Sequence, residues 1–386
     1  MKEFFWVSAI LVAYTYFGYP LLVWIASIFR RRPVSTGSHY PRVSFIIPAY
    51  NESLVIERKI RNTLSLTYPA DRLQIVVASD GSSDATDEIA RQFQAQGVSL
   101  VAGPTRRGKN GLLNHVVPMT VGEVVVVSDA NIELAPDALA TLMRPLADAS
   151  VGGVWGNKIY HNRSASAAGE GEALYLRYEK FIKSLESRLG SIVAGECSCL
   201  AFRRELFRTL PLDVPDDFAL STNVVWSGKR MIYVPDAISY EDTSPTDRDE
   251  FKRKVRIIER GIRGFFRVLP LANPFRSGFY SVSLVTRQLL RRVVAVFFVL
   301  MAVTLPFLTG QGSLYQIALA ATVLILLLAA GGAVARGSLR RVPVLYVPYF
   351  FVMVNLAALI GMARCLTGQR SITWQPTSRV AGGAQD

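Results

Sequence analysis

Two blocks of apolar sequence bracket a middle section of mixed composition, and this arrangement limits the chain to few architectures. Residues 4–29 carry no charged side chain and are followed directly by three arginines at 30–32. Further apolar runs, 293–308, 314–334 and 342–363, occupy the C-terminal part. Because a helix needs roughly twenty apolar residues to cross a bilayer, we expect a soluble domain held between membrane segments.

The charge beside the first apolar run predicts its orientation. A cleaved signal peptide carries its positive charge before the apolar core, whereas here the arginines follow it. Positive residues stay on the cytoplasmic side, so residues 1–32 are predicted to form an uncleaved anchor of a multi-pass protein in a bacterial-type inner membrane, with the next domain cytoplasmic. Three later crossings would put the tail outside, but Arg364, Arg370 and Arg379 favour the inside. We therefore expect one terminal segment to lie in the interface or to re-enter.

The formal net charge of +13 points to a membrane surface as the anionic partner. Most basic clusters flank apolar runs, where they attract anionic lipid. No basic stretch is interleaved with aromatic residues as in RNA-binding sheets, which argues against nucleic acid. The chain has only three cysteines, Cys197, Cys199 and Cys365, too few for a four-ligand structural zinc site. They are interpreted as small buried residues in a reducing cytoplasm.

Short apolar runs alternate with helical stretches between residues 42 and 245. The runs predicted to be buried parallel strands are 43–47, 73–77, 98–101, 124–127 and 151–155, and the predicted helices are 53–66, 84–96 and 136–147. Continuous apolar strands are typical of sheets covered on both faces. Their alternation with helices predicts an α/β domain with a doubly wound, mostly parallel sheet.

Residues 246–288 connect this domain to the apolar block 289–364, and residues 365–386 form a tail. Apolar residues recur at helical spacing among the lysines and arginines of the connection: Phe251, Val255, Ile258, Ile262 and Phe266. This pattern predicts amphipathic helices that lie in the membrane interface. A solvated surface helix is the alternative.

Polar and acidic residues follow three of the predicted strands. They are Pro48, Tyr50 and Glu52 after the first, Asp80 after the second, and Asp129 and Asn131 after the fourth. Since ligands of open α/β sheets bind beyond the carboxyl ends of the strands, these residues are expected to converge on one crevice. Asp84, in contrast, is interpreted as the N-cap of the next helix.

These residue types suit the parts of a nucleotide-sugar. Asp80 can accept a hydrogen bond from a ring N–H of the base, and Tyr50 can supply an aromatic face. A carboxylate such as Asp129 suits Mg²⁺ or Mn²⁺, which would neutralise the diphosphate. The basic stretch that contains Lys109 supplies positive charge for phosphate oxygens, with a solvated loop as the alternative.

A base for the acceptor hydroxyl is also needed, because inverting sugar transfer requires a carboxylate to take its proton. Asp216 and Asp217 offer paired carboxylates at the start of a predicted helix. Capping of that helix and interaction with its dipole is the alternative role for either one.

As a set, these motifs resemble glycosyltransferase family 2, in the membrane-bound branch of cellulose, chitin, hyaluronan and poly-N-acetylglucosamine synthases. The resemblance runs from about residue 43 to 264, and more loosely to Thr373-Trp374 and Arg379. It implies the nucleotide-sugar-binding α/β fold called GT-A. It also implies that Asp80 binds the base, that Asp129 places the metal and diphosphate, and that Asp217 is the general base.

Three departures from the family pattern change the expectations. The family's Asp-x-Asp is Asp129-Ala130-Asn131 here, so weak metal binding is expected from Asp129 and the neutral Asn131. Pro215-Asp216-Asp217 replaces Thr-Glu-Asp but keeps the base. The acceptor motif Gln-x-x-Arg-Trp matches a stretch that keeps Arg256 but has Arg253 and Ile257 at the other two positions. Arg253 and Arg256 suit a phosphate, either of a lipid-linked acceptor or of the donor.

The sequence therefore predicts an inner-membrane glycosyltransferase that transfers a sugar, with inversion, from a nucleotide-sugar to a lipid-linked or growing glycan acceptor. UDP is the favoured nucleotide. A processive polysaccharide synthase, with a homo-oligomer or an export partner for its polymer, is the alternative. A nucleotide-sensing membrane transporter or scaffold belongs to another class, and the intact Asp217 argues against it. A nucleotidyltransferase would begin with a glycine-rich phosphate loop, which the first strand end lacks.

Overall fold

The computed structural model describes residues 1–160, 167–193, 199–241, 247–335 and 342–369, and within them one sheet of eight strands forms the centre of the protein. The strands are β1 (Val43–Ala49), β2 (Leu73–Ser79), β3 (Val98–Ala102), β4 (Val124–Val127), β5 (Glu133–Leu134), β6 (Val151–Tyr160), β7 (Leu200–Arg203) and β8 (Arg230–Glu241). Their order across the sheet is β3-β2-β1-β4-β7-β6-β8-β5.

Strand directions place most strand ends at one edge of the sheet. β1 pairs in parallel with β2 and β4, and β2 pairs in parallel with β3. β7 is antiparallel to both β4 and β6, and β8 is parallel to β6. Consequently β1, β2, β4, β6 and β8 all point the same way, and their carboxyl ends share an edge. The α/β fold with a largely parallel sheet is confirmed, while β7 and the antiparallel edge strand β5 were not predicted.

Helices cover both faces of the sheet. Before β1 come α1 (Lys2–Ala13) and α2 (Tyr19–Phe29), and the soluble domain adds α3 (Ile56–Leu64), α4 (Thr86–Arg91), α5 (Gly108–Val116), α6 (Ala138–Met143), α7 (Ala167–Leu189) and α8 (Asp216–Trp226). Side chains alternate along β1, so that Phe45 and Ile47 join the core on one face and Ile46 joins the core on the other. The predicted helices 84–96 and 136–147 are shorter α-helices that end in 3-10 turns, Gln94–Gln96 and Arg144–Ala147.

Six further helices follow the sheet: α9 (Asp247–Arg267), α10 (Pro274–Ser277), α11 (Phe279–Leu284), α12 (Arg291–Leu308), α13 (Ser313–Val334) and α14 (Pro343–Leu366). Within the described ranges, four helices are long and apolar enough to cross a membrane, by length and composition only. They are Lys2–Phe29, Phe279–Gln311, Ser313–Val334 and Pro343–Leu366.

The second of these helices begins earlier than predicted. The boundary expected at residue 289 lies inside it, because Phe279–Gln311 continues through a π-helical turn, Val285–Leu290. The first part of this helix carries Arg287, which lowers its mean hydropathy, so the apolar run predicted only the later part of the helix. Arg287 forms an ion pair inside the protein: its Nη2 lies 2.8 Å from Oε2 of Glu179 in α7.

The amphipathic helix predicted after the soluble domain is α9, but its apolar face packs on protein. Val255, Ile258 and Ile262 are buried, and the last two share a cluster with Ala358 of α14. A Cβ placed on Gly361 of α14 would lie 2.9 Å from the carbonyl oxygen of Val255, which shows how closely the two helices approach. α9 therefore lies between the soluble domain and the last apolar helix, although Phe266 of the same predicted face is exposed.

Candidate active site

The crevice begins where β1 and β2 end side by side. The N–H of Asp80 donates to the carbonyl oxygen of Ala49 at 2.9 Å. The buried carboxylate of Asp80 accepts hydrogen bonds from the N–H groups of Arg107 (2.7 Å) and Gly108 (2.9 Å) at the start of α5. Burial raises the pKa of Asp80, and these two hydrogen bonds oppose that rise. Asp80 therefore ties the end of β2 to the loop that carries Lys109.

The residues after β1 form a tight turn against the next loop. Asn51 has φ 52°, a left-handed conformation that asparagine tolerates. The N–H of Glu52 donates to Oγ1 of Thr86 at 2.8 Å. Pro48 is buried inside β1, and the guanidinium of Arg106 lies 3.8 Å from the centre of the Tyr50 ring. Tyr50 and Arg106 thus stack directly on each other.

Asp84 lies one residue before the N-cap of α4, which is Ala85, so its N-cap interpretation was wrong by one residue. Its Oδ1 accepts the N–H of Thr86 at 3.0 Å, and its Oδ2 accepts the N–H of Ser53 at 3.0 Å. The pKa of Asp84 is lowered, because hydrogen bonds from Thr86 and Ser53 outweigh the opposing effect of burial. Asp84 therefore stabilises the loop, and the neighbouring residues line the crevice.

Lys109 joins the two acidic motifs at the centre of the crevice. Its Nζ lies 2.6 Å from Oδ1 of Asp129 and 2.7 Å from Oδ2 of Asp216. The side chain of Lys109 is only 14% exposed, so water screens these contacts less than it would at a surface. The structure therefore brings together Lys109, Asp129 and Asp216, which are widely separated in the sequence.

Helix α5 also holds the loop that leads into the acidic pair. Nδ2 of Asn110 donates to the carbonyl oxygens of Pro211 and Val214, the second at 2.9 Å. One turn later, Asn114 exchanges two hydrogen bonds with Leu210, at 2.9 and 2.7 Å. These amides supply the backbone partners that an irregular buried loop needs. As a result the start of α8 is fixed relative to Lys109.

Asp217 lies in the first turn of α8, beside Asp216. Burial, followed by the negative charge of Asp216, raises the pKa of Asp217 to about 7. The N–H of Phe218, which donates to Oδ1 of Asp217 at 2.7 Å, and the charges of Lys109 and Arg260 act in the opposite direction. A carboxylate with a pKa near neutrality is a far better proton acceptor than an ordinary aspartate.

Asn131 has a carboxylate partner from a distant strand. Its Nδ2 donates to Oε1 of Glu241 at 3.0 Å, and Nζ of Lys158 lies 2.6 Å from Oε2 of the same carboxylate. Glu241 is the last residue of β8 and lies opposite Tyr160 at the end of β6. Because these strands end at the same edge as β4, the crevice gains an acid that the Asp129-Ala130-Asn131 motif lacks.

A buried lysine, Lys59, holds the backbone on both sides of the Asp129-Ala130-Asn131 motif. Nζ of Lys59 in α3 donates to Oγ of Ser128 at 2.9 Å and to the carbonyl oxygen of Ile132 at 2.6 Å. These two residues flank the motif on either side. Burial lowers the pKa of Lys59 to about 8, against the negative charge of Asp129. Lys59 fixes the backbone that presents Asp129.

The two arginines expected at the acceptor or diphosphate have different surroundings. Arg253 is paired with Glu250, with Nε–Oε2 and Nη2–Oε1 distances of 2.8 and 2.9 Å. Arg256 forms no hydrogen bond or ion pair with the residues that the structure describes. Burial, Arg260 and Arg253 lower the pKa of Arg256, and the charge of Asp216 raises it. Arg256 therefore faces the acidic pair, while Arg253 is held by its own helix.

Two site residues were missed by sequence reasoning for different reasons. Lys59 shares a helix face with Ile56 and Ile60, and a lysine on an apolar face is a signal that the sequence does contain. Glu241 gave no comparable signal, because β8 was not predicted and the partner of Asn131 depends on sheet order. Cys197, Thr373 and Trp374 lie outside the described residues.

The sheet, the polar strand ends and the acidic pair at α8 define a glycosyltransferase domain of the GT-A fold. Residues 44–210 match the family described as Glycosyl transferase family 2. The chain therefore carries a family 2 glycosyltransferase domain, and the family expected from its motifs is confirmed.

Curated relatives include enzymes of glycolipid and polysaccharide synthesis. A beta-monoglucosyldiacylglycerol synthase from Trichormus variabilis is 30% identical over 156 residues, 39% of this chain and 33% of that protein. A poly-beta-1,6-N-acetyl-D-glucosamine synthase from Staphylococcus epidermidis is 25% identical over 225 residues, 57% of this chain and 54% of that one. The chain thus spans about a third to a half of the length of these two relatives.

A solved structure shares the fold over nearly the whole chain. It is the mannosyltransferase PcManGT from Pyrobaculum calidifontis, in complex with GDP-Man and Mn²⁺. The TM-score is 0.72 at 24% identity, and the match covers 95% of this chain and 100% of the other. The fold, including its apolar helices, is therefore one that a glycosyltransferase uses.

Proposed function

We propose that this protein transfers a sugar, with inversion, from a nucleotide-sugar to an acceptor held at the membrane. The observation that carries the proposal is Asp217, a carboxylate with a pKa of about 7. Through Asp216 and Lys109 it is connected to Asp129, on the donor side of the crevice. A base for the acceptor and a charged cradle for the donor thus lie side by side.

The proposed reaction has one chemical step. Asp217 takes the proton of an acceptor hydroxyl while the hydroxyl oxygen forms a bond to the anomeric carbon of the sugar. The bond from that carbon to the diphosphate oxygen breaks on the opposite face, and its electron pair leaves with the nucleoside diphosphate. One displacement inverts the configuration at the anomeric carbon, as in other inverting sugar chemistry with a carboxylate base.

The donor side suits a divalent cation and a diphosphate. Asp129, Asn131 and Glu241 offer hard oxygen atoms of the kind that Mg²⁺ and Mn²⁺ prefer, and the ammonium of Lys109 already lies on Asp129. Among the described residues no group of three or more His, Cys, Asp or Glu could hold a metal ion. Substrate phosphates would therefore complete the coordination, as is common for Mg²⁺. A bound cation would neutralise charge on the leaving diphosphate.

We propose a stacking surface for the nucleobase of the donor, and we propose its nucleotide from the family resemblance. Tyr50 and Arg106 form a flat, charged surface on which a base can stack, and Asp80 orders the adjoining loop. UDP is our proposed nucleotide by family resemblance, whereas the solved mannosyltransferase holds GDP-Man. Both nucleotides therefore belong in the first experiment.

The acceptor is proposed to be a lipid-linked sugar or a glycan at a cell's inner membrane. Four helices are long and apolar enough to cross a membrane, and three arginines at 30–32 follow the first of them. By the positive-inside rule the catalytic domain would face the cytoplasm, where nucleotide-sugars are made. A homo-oligomer or an export partner is not required for transfer of a single sugar.

The test is a donor screen on purified protein in lipid. UDP-linked and GDP-linked hexoses and N-acetylhexosamines are supplied with Mn²⁺ and a membrane lipid extract, and nucleoside diphosphate release is measured together with sugar in the lipid phase. We expect one donor to give both signals and Asp217→Asn to give neither. Nucleotide release without a glycosylated product would count against transfer to a membrane acceptor.

A further inference from the structure

Three guanidinium groups interact electrostatically with Asp216 or Asp217, and none of them forms an ion pair with an acid among the described residues. They belong to Arg256 and Arg260 of α9 and to Arg292 at the start of α12. The charges of Arg260 and Arg292 both act on Asp217, and that of Arg256 acts on Asp216. We call these three residues the arginine cluster.

Two glycines bring the cluster together. A Cβ on Gly264 would lie 2.8 Å from the ring of Phe218, the residue after Asp217, so α9 packs tightly on α8. A Cβ on Gly261 would lie 2.3 Å from Nε of Arg292, so this guanidinium occupies the space that a side chain would fill. Arg256 and Arg260 are four residues apart and share a helix face. The three cations are therefore held together by the backbone.

The cluster keeps unused hydrogen-bond donors in a buried place. Arg260 donates through Nη2 to the carbonyl oxygen of Val214, but its Nε is buried without a partner. Arg292 donates through Nη1 to the carbonyl oxygens of Arg287 and Gln288, at 3.1 and 2.9 Å, and its Nε is likewise buried without a partner. Buried polar atoms normally have partners. Unused donors on neighbouring cations indicate a site for an anion.

Resting on the proposed transferase function, we infer that the arginine cluster binds a phosphate group on the lipid-linked acceptor and thereby positions its hydroxyl at Asp217. Planar guanidinium groups suit phosphate because they donate two parallel hydrogen bonds. Burial, followed by the charges of Arg260 and Arg253, lowers the pKa of Arg256, and a dianionic ligand would offset this concentration of positive charge.

The position of the cluster favours the acceptor over the donor as the source of the phosphate. Arg292 belongs to the helix Phe279–Gln311, which is long and apolar enough to cross a membrane, and it directly precedes the apolar run 293–308 of that helix. A lipid phosphate at the membrane boundary would meet it there. The donor side has its own positive charges: Lys109, which contacts Asp129 and Asp216, and Arg106, which lies over Tyr50.

The experiment uses full-length protein in phosphatidylcholine nanodiscs. One arm measures binding of a long-chain prenyl phosphate and of the matching prenyl alcohol by native mass spectrometry. The other arm measures UDP and GDP binding with Mn²⁺ by calorimetry. The variants are Arg256→Gln, Arg292→Gln and Gly261→Ala, the last of which displaces Arg292 but keeps every charge. Lys252→Gln is the control, because it removes a charge from the exposed side of α9.

We expect wild type to prefer the phosphate over the alcohol by about tenfold or more, the scale of charge-assisted hydrogen bonds. Each of the three variants should lose most of this preference, with nucleotide binding unchanged, and Lys252→Gln should keep it. Equal binding of both lipids by wild type would overturn the inference. So would variants that lose nucleotide affinity but keep the lipid preference, because the cluster would then bind the donor diphosphate. Failure of wild type to bind any nucleotide would instead count against the proposed transferase.

Discussion

Nζ of Lys109 lies 2.7 Å from Oδ2 of Asp216, one residue before the proposed base Asp217. The same nitrogen contacts Asp129, so a single ammonium neutralises one carboxylate on each side of the crevice. Binding of a donor diphosphate would draw Lys109 toward new oxygen atoms, so donor binding and the state of the base are coupled.

The pH dependence of transfer should reveal this coupling. Asp217 must be ionised to accept a proton, and its pKa is about 7, so the rate should fall as the pH drops below about 7. The ammonium of Lys109 lowers this pKa; Lys109→Met should therefore move the midpoint to higher pH. The measurement is the rate at saturating donor across a pH series. Lys252→Met, at an exposed position of α9, is the control, and an unshifted midpoint in Lys109→Met would contradict the coupling.

Removing the base itself should separate binding from chemistry. We expect Asp217→Asn to reduce transfer by roughly a hundred- to ten-thousand-fold, the range for loss of a positioned base. Donor nucleotide binding should persist, because Asp129 and Lys109 remain. Asp236→Asn, on the exposed part of β8, should leave both unchanged. Near-normal turnover in Asp217→Asn would exclude Asp217 as the base.

The metal side can be tested at Asn131. In Asn131→Asp a second carboxylate replaces the amide that donates to Glu241 at 3.0 Å, and the two acids repel each other unless a cation lies between them. Without metal we expect a lower Tm, corresponding to a loss on the order of 1 kcal/mol in the free energy of unfolding, and recovery of the Tm with Mn²⁺. The cation concentration for half-maximal rate should fall several-fold, because an added carboxylate strengthens a hard-cation site.

Glu241→Gln gives the complementary result. It keeps a partner for Asn131 but removes the carboxylate that pairs with the nearly buried Lys158, so the Tm should fall, without recovery on addition of Mn²⁺, while the cation requirement rises. If Asn131→Asp leaves both the Tm and the cation requirement unchanged, Asn131 does not face the metal.

The sequence contains clearer local signals for the residues of the proposed donor side than for those of the proposed acceptor side. Strands β2 and β4 can be predicted from local apolar runs, and Asp80 and Asp129 closely follow their ends. Lys109 lies in the first turn of α5. Arg292 could not be assigned from the sequence. A short polar turn obscures the start of its helix, and the electrostatic interaction of its guanidinium with Asp217 depends on how the helices pack. Glu241 was equally hidden, since its role depends on the parallel pairing of β8 with β6. Contacts that depend on strand order or on helix crossing leave no local pattern.

The arrangement of the apolar helices predicts a specific topology. Arg32 donates its N–H to the carbonyl oxygen of Arg188 at 2.8 Å, so the first apolar helix ends at the catalytic domain. Its other end meets the start of α13, where Trp6 donates to the hydroxyl of Tyr315 at 3.1 Å. α13 therefore begins on the side of the membrane away from the catalytic domain.

The last apolar helix returns toward the catalytic domain. The rings of Phe298 and Phe351 lie 5.1 Å apart, Ala295 and Ala358 share a cluster, and Gly361 contacts α9. Later residues of α14 therefore lie closer to the catalytic domain, and α14 runs antiparallel to α12. If α14 starts on the far side, α13 both begins and ends there and does not cross the membrane.

Cysteine labelling in intact cells checks this topology. In a background without the three native cysteines, Gly312→Cys and Ala335→Cys should react with an impermeant reagent, and Ser227→Cys and Thr367→Cys should not. Protection at Ala335 together with labelling at Thr367 would mean that all three C-terminal helices cross. Labelling at Ser227 would overturn the cytoplasmic orientation.

Product length is the last prediction, and the aromatic residues near the acceptor side decide it. A processive enzyme must hold its chain between additions, and an aromatic platform does so by stacking on the sugar, with a gain of about 1 kcal/mol beyond area alone. Ile257 stands where the family has its tryptophan. The two aromatics that could replace it are otherwise occupied: Phe265 is buried in the core, and the guanidinium of Arg276 lies 4.4 Å from the centre of the Trp226 ring.

We therefore expect a short product, of one or a few sugars on a membrane-bound acceptor. Radiolabelled donor is supplied to purified protein in lipid, and the product is separated by size and by extraction into organic solvent. Ile257→Trp is the informative variant, because Ile257 is 39% exposed and a ring there would restore the platform. Longer products from Ile257→Trp than from wild type, with Ile257→Leu as the control, would support this reading. High-molecular-weight, glycosidase-sensitive material from wild type alone would show that the protein is a polymerase despite the missing tryptophan.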